Sequence, residues 1–241
     1  MPARAARRRG LTALDRPGGA AEDWRRRTVR DSLSVGLAVG LYGAAFGAAA
    51  TSAGLSVLQT CALSLLMFTG ASQFALVGVL GAGGAPVAAV ASAVLLGARN
   101  TLYGLRLAAP LDVRGFRRAV AAHAVIDETT AMALAAPTTA ALRLAYAVTG
   151  LSLFLGWNLS TLAGALGSGL LGDSAQVALD AVVPAAFLAL LWPRLRHSGT
   201  DRVVAAGGAL IALVLTPVVA PGLQVMLAAA AVGLAFVGSR R

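Results

Sequence analysis

Few residues of this 241-residue chain are charged or strongly polar away from its ends, so those that are stand out. Gly70-Ala71-Ser72-Gln73 places a glycine and two hydrogen-bonding side chains in the middle of an apolar run, 57–80. Arg99 lies near the centre of the run 86–109, and Asp127-Glu128 near the midpoint of a run that ends at about 136. A guanidinium, two carboxylates and locally weakened helix are the parts of a site for a small zwitterion. The cation and the freed amides can hold a carboxylate; an acid can hold an ammonium group or carry a proton. The competing reading is a static ion pair between Arg99 and Asp127 or Glu128 that fixes helix packing. Ionisable groups at such depth are expensive and mark functional sites by default, which favours the first reading.

Helical spacing groups these residues. Ser92, Arg99, Tyr103 and Arg106 project in similar directions, and Arg106, near a helix end, can snorkel towards the interface. His123, Asp127 and Thr130 share a face, with Glu128 about 100° away. A second polar interruption, Gly156-Trp157-Asn158-Leu159-Ser160-Thr161, sits within the run 145–171.

The elements that must position them are membrane helices. The chain is 58% hydrophobic and 12% charged, whereas a soluble domain is nearer half apolar and a quarter charged. Mean hydropathy is +0.77. Several apolar runs reach the roughly 18–25 residues that a spanning helix needs. The net charge of +10 does not point to nucleic acid, because nine of the twenty basic residues fall in the first thirty positions, where they read as a topology signal. All twenty are Arg. The single cysteine, Cys61, excludes a disulfide framework and a cysteine-based metal site.

Taken in order, residues 1–30 read as a disordered, basic cytoplasmic tail and 31–241 as one transmembrane domain. Segment one, 33–53, carries Gly36, Gly40, Gly43 and Gly47 at the spacing that lets membrane helices pack closely. Segment two is 57–80, three 86–109, four ends near 136, five is 145–171 and six 176–193. The last apolar stretch, 203–238, is divided at 216–217 and 221–222 into two short helices. The expectation is an all-α polytopic protein with seven to eight transmembrane segments. Glycines 70, 78 and 81 recur at 156, 164 and 167, an offset of 86, which suggests a three-helix repeat, inverted in the membrane, with two broken helices in segments two and five. Charge counting with the tail inside leaves Arg114, Arg117 and Arg118 outside; making segments two and five re-entrant removes that conflict but gives a parallel repeat.

No metal or cofactor is expected, since His197 has no partner at ligand spacing and His123 has only Asp127 nearby, fewer ligands than a metal site needs. No Gly-rich nucleotide loop is present to support an ATP-driven mechanism. An intramembrane enzyme using Asp127 and His123 lacks a matching second acid or nucleophile, and a purely structural subunit leaves Arg99, Asp127 and Glu128 without a purpose.

The ordered set Phe68-Thr69-Gly70-Ala71-Ser72-Gln73-Phe74, Ala98-Arg99-Asn100-Thr101-Leu102-Tyr103-Gly104, Asp127-Glu128, Trp157 with Gly164, Leu179-Asp180 and the prolines 184 and 193 resembles the AzlC family of branched-chain amino acid permeases. The resemblance covers about 31–238. It departs from the family at Gly97-Ala98-Arg99-Asn100, where Asn-x-Arg-His is usual, and at Ile126, where Thr is usual. It implies a multi-pass permease of the cell inner membrane, N-terminus cytoplasmic, that works with a small membrane subunit resembling AzlD to export branched-chain amino acids and sometimes methionine. Another amino acid or a small organic acid remains the alternative cargo. Residues and resemblance together give the candidate substrate-binding or coupling set: Gly70, Ala71, Ser72, Gln73, Arg99, Asn100, Tyr103, Asp127, Glu128, Trp157 and Asn158.

Overall fold

Away from water a peptide group must find its partner inside the protein, and a helix does this locally. The computed structural model describes residues 17–168, 188, 191–192, 195–219 and 223–232, and among these every regular element is a helix. Helix α1 (Pro17–Gly40) passes through a one-residue irregularity at Leu41 into α2 (Tyr42–Ser52). It starts inside the stretch expected to be disordered: residues 17–30 are helical, because Pro17 suits a first helical position and Ala, Glu and Arg that follow are good helix formers. Residues 1–16 lie outside the described residues.

Segment two is two helices, α3 (Val57–Leu66) and α4 (Gly70–Gly81), separated by extended backbone at 67–69. Segment three is α5 (Pro86–Gly97) and α6 (Arg99–Leu111), interrupted at Ala98. Segment four is α7 (Phe116–His123) and α8 (Asp127–Leu134), interrupted at 124–126. Segment five is one unbroken helix, α9 (Thr139–Gly167). Two stretches, Asp23–Ser52 and Thr139–Gly167, are long and apolar enough to cross a bilayer as single helices. At about 1.5 Å per residue the 10-residue α3 and 12-residue α4 each cover about half of a hydrocarbon core. Segment six falls outside the described residues except for 188, 191 and 192. Beyond it lie α10 (Gly199–Leu215), the expected turn at 216–218, and α11 (Leu223–Ala228) running into a 3₁₀ turn, Ala229–Val232.

The second break through extended backbone is therefore in segment four rather than segment five, and the pairing of Gly70 with Gly156 does not match two breaks. The polar run 156–161 is absorbed within the helix. Asn158 Nδ2 donates to Phe154 O at 2.8 Å, and Ser160 Oγ donates to Trp157 O at 3.1 Å and to Gly40 O of the neighbouring helix.

That last contact shows what the segment-one glycines do. Gly36 lies on Ser152, Gly40 on Gly156, Gly43 on Trp157 and Ser160, and Gly47 on Thr161 and Ala165. A methyl group at any of them would overlap α9, so the α1–α2 column and α9 meet backbone to backbone and form the scaffold for the rest. On its outward side α9 exposes Leu151, Leu155, Leu159, Leu162 and Leu166 at helical spacing, an apolar face suited to lipid.

Gly47→Ala is expected to destabilise the protein by about 1–3 kcal/mol through overpacking. Gly78→Ala, where a Cβ meets nothing within 4 Å, is expected to be neutral or to stabilise by up to about 1 kcal/mol through helix propensity. Thermal unfolding of the two purified variants in detergent checks the contrast.

Candidate functional site

Each broken segment frees backbone groups, and the two breaks treat their two ends differently. At the end of α3, Leu63 O accepts Met67 N–H and also Gln73 Nε2 at 3.2 Å, while Leu65 O is 3.0 Å from His123 Nε2. At the end of α7, Ala121 O accepts from Tyr146 Oη at 2.6 Å, and Ala124 O accepts from Thr129 Oγ1 at 2.6 Å. Polar side chains thus close the carbonyl ends of both half-helices. His123 also joins the breaks, stacking on Phe68 with ring centroids 6.0 Å apart.

The amide ends are left for something else. Thr69 makes no side-chain cap, and the first intrahelical bond of α4 is Gln73 N–H to Thr69 O, so the amides of Gly70, Ala71 and Ser72 precede it. The first turn of α8 likewise begins without a side-chain hydrogen bond from Ile126, and carries Asp127 and Glu128, whose charge complements the helix dipole. Arg99, the first residue of α6, reaches across to α8: Nη2 lies 2.6 Å from Asp127 Oδ2, with 36% and 42% of the two side chains accessible.

These ends enclose a cavity of ≈ 180 Å³. Its polar wall is Thr69, Gly70, Ala71, Arg99, Asp127 and Glu128; its apolar wall is Val39, Phe68, Phe74, Ile126, Leu153 and Trp157, with Tyr42 at the α1–α2 junction. Pockets for drug-sized ligands measure about 300–1,000 Å³, so this space suits a smaller solute. Trp157 is 4% exposed, stacks on Phe46 at 6.1 Å and meets Phe74 edge-on at 6.2 Å. Its benzene edge lies so close over Gly70 that a Cβ there would come 2.8 Å from Cη2. Among the described residues, the buried Trp157 Nε1 and Arg99 Nε have no hydrogen-bond acceptor.

Of the candidate residues, Gly70, Ala71, Arg99, Asp127, Glu128 and Trp157 line the cavity, and the other five do not. Ser72 and Gln73 are buried on the far side of α4, where Gln73 closes α3. Asn100 Nδ2 donates to Thr69 Oγ1 at 3.4 Å, behind the cavity wall. Tyr103 packs on the Leu107–Leu111 cluster, and Asn158 bonds its own helix. Gly70–Ser72 form a first helical turn rather than unwound backbone; the unwound residues are 67–69. The shared face of His123 and Asp127 does not form either, because the break at 124–126 sends one to Leu65 and the other to Arg99. Sequence reading missed Val39, Tyr42, Ile126 and Leu153 as wall residues. For Tyr42 a signal was present: an aromatic hydroxyl in mid-span beside Gly40 and Gly43.

The family description "AzlC protein" matches residues 34–171. The chain belongs to the AzlC family. No curated protein and no solved structure matches it. Membership together with the apolar helices makes this a membrane protein related to transport, and the matched stretch of this AzlC-family chain contains every residue of the cavity. Among the described residues, no group of three His, Cys, Asp or Glu side chains is placed to hold a metal.

In this AzlC-family fold Arg99 and Asp127 compensate each other. An uncompensated charge at mid-membrane costs about 2.5–3.5 kcal/mol on insertion scales, reduced here because the pair is partly accessible. Arg99→Gln and Asp127→Asn should each lower the melting temperature, and the double variant should recover part of the sum. A coupling of about 1 kcal/mol, between the values for exposed and desolvated pairs, is expected from the double-mutant cycle measured by thermal unfolding.

Proposed function

We propose that the chain is the large subunit of a secondary transporter for branched-chain amino acids, leucine, isoleucine, valine and in some conditions methionine, working as a proton-driven exporter of the cell inner membrane. The observation that carries this reading is the pairing, in one small cavity, of a cation and free helix amides with two carboxylates beneath an apolar wall. An α-amino acid presents the complementary set: a carboxylate, an ammonium group and, for the branched-chain members, an aliphatic side chain.

The roles divide by position. The carboxylate of the cargo is held by the Gly70 and Ala71 amides and by Arg99. Half-helix N-termini serve anionic groups in this way in other transporters. Asp127 is committed to Arg99, whereas Glu128 lines the cavity without an ion pair within 4 Å among the described residues, so Glu128 takes the ammonium group or the coupling proton. Phe68, Phe74, Ile126 and Leu153 receive the side chain. Aromatic stacking on Trp157 limits the depth of that pocket, which favours short branched chains over large aromatic ones.

A chain with seven to eight membrane segments, a cytoplasmic N-terminus and a small second membrane subunit resembling AzlD completes the proposal, with the partner resting on the family alone. The reading assigns no enzymatic step and no cofactor. Another small amino acid or an organic acid is the alternative cargo, and the carboxylates separate the two: an organic acid gives Glu128 nothing to hold.

Flux of labelled leucine in proteoliposomes holding both subunits tests this. Under an imposed proton gradient the wild type should transport leucine, and valine and isoleucine should compete. A carboxylate without an amine, such as 4-methylpentanoate, should compete at least tenfold more weakly, a difference of about 1.4 kcal/mol in binding. Arg99→Gln should reduce flux at least tenfold, and Glu128→Gln should lose gradient-driven accumulation. Competition by 4-methylpentanoate as strong as by leucine points to the organic-acid reading. Normal gradient-driven accumulation in Glu128→Gln removes that residue from coupling.

A further inference from the structure

A second cavity, of ≈ 580 Å³, lies between α6 and α7. It follows α6 from Asn100 through Gly104, Leu107 and Leu111 to the connecting loop, and at that end it is lined by the exposed Asp112 and Arg114 of the loop and Arg118 of α7. Two pairs of chain neighbours divide the two cavities. Arg99 lines the first and Asn100 the second; Ile126 lines the first and Val125 the second. On both segments, consecutive residues thus face the two cavities. One polar contact lies between them: Asn100 Nδ2 to Thr69 Oγ1 at 3.4 Å, at the long end of hydrogen-bond distances, with Asn100 Oδ1 buried and without a partner among the described residues.

We infer that the second cavity is the solute vestibule on the face bearing the 112–115 loop, and that the Thr69–Asn100 contact is the gate between vestibule and site. A long bond that leaves one amide oxygen unsatisfied is cheap to open, because a typical intramolecular hydrogen bond contributes only about 0.5–1.5 kcal/mol net. Thr69 is also the residue on which α4 starts, so a shift that separates it from Asn100 moves the Gly70 and Ala71 amides at the same time. Opening the gate and re-aiming the amide donors are one motion. The two exposed arginines at the loop end, against one aspartate, favour arrival of a solute through its carboxylate.

The path belongs to the transport reading above, but its test does not depend on cargo. In the full-length protein with Cys61→Ser, single cysteines are placed at Gly104, Ala71 and Phe116. Gly104 has open space for a Cβ, Ala71 lines the first cavity, and Phe116 is 83% exposed beside the loop and serves as the reference for that face. A membrane-impermeant thiol reagent is applied to sealed vesicles on the face where Phe116→Cys labels. Gly104→Cys is expected to label from that face and Ala71→Cys to stay at least tenfold slower. Adding Asn100→Ala or Thr69→Val should bring Ala71→Cys to within about threefold of Gly104→Cys. The inference is overturned if Gly104→Cys is protected from that face, if Ala71→Cys labels there with both gate residues intact, or if it stays protected when either is replaced. The expected labelling in a protein that moves no amino acid would leave the gated path standing and remove the transport reading.

Discussion

A helix interrupted away from water must give its freed peptide groups to partners in the protein, and the two interruptions at 67–69 and 124–126 obey this asymmetrically. On the carbonyl side, Gln73, His123, Thr129 and Tyr146 reach in from elsewhere in the fold and occupy the free acceptors. On the amide side, the first turns of α4 and α8 face a shared cavity. The half-helices are held by their closed ends and keep their donor ends for function. The α1–α2 column on α9 makes this possible, since its glycines bring the backbones together and seat Trp157 directly over Gly70.

Charge then decides what the cavity can receive. Two helix amide termini and Arg99 are positive; Asp127 and Glu128 are negative, and Asp127 is matched to Arg99 at 2.6 Å. A bare ion bound there would leave its counterpart uncompensated, which is expensive away from water. The proposed cargo carries both signs at a short separation.

The sequence carried the chemistry of this site better than its geometry. Arg99 and Asp127-Glu128 are legible because charge is rare in apolar runs, and a cavity places them together. The position of a break was readable in segment two, where Thr69-Gly70 offers a β-branched residue and a glycine in succession, but was read a few residues too far along. Segment four hid its break: Ala124, Val125 and Ile126 are ordinary helical residues, and the interruption depends on Thr129 and on Tyr146 of another helix. The run 156–161 misled in the opposite sense. Asn158 and Ser160 can bond carbonyls one turn back, so polarity alone does not end a helix. Tertiary partners, which a single sequence does not display, decided both cases. The glycine stripe of segment one was legible because small residues at three- and four-residue spacing have one main use in a membrane helix. Helix at 17–30 was obscured by its arginines, which suit a helix as well as a tail.

The central claim is that a cargo carboxylate sits on the amide end of α4. Solid-state NMR on the reconstituted protein addresses it directly, by measuring the dipolar coupling between carboxyl-labelled ¹³C-leucine and ¹⁵N-glycine or ¹⁵N-alanine amides, assigned through Gly70 and Ala71 variants. A coupling that corresponds to about 3–4 Å is expected, the separation set by an amide-to-carboxylate hydrogen bond. Leucine that binds saturably with no coupling to either amide would contradict it.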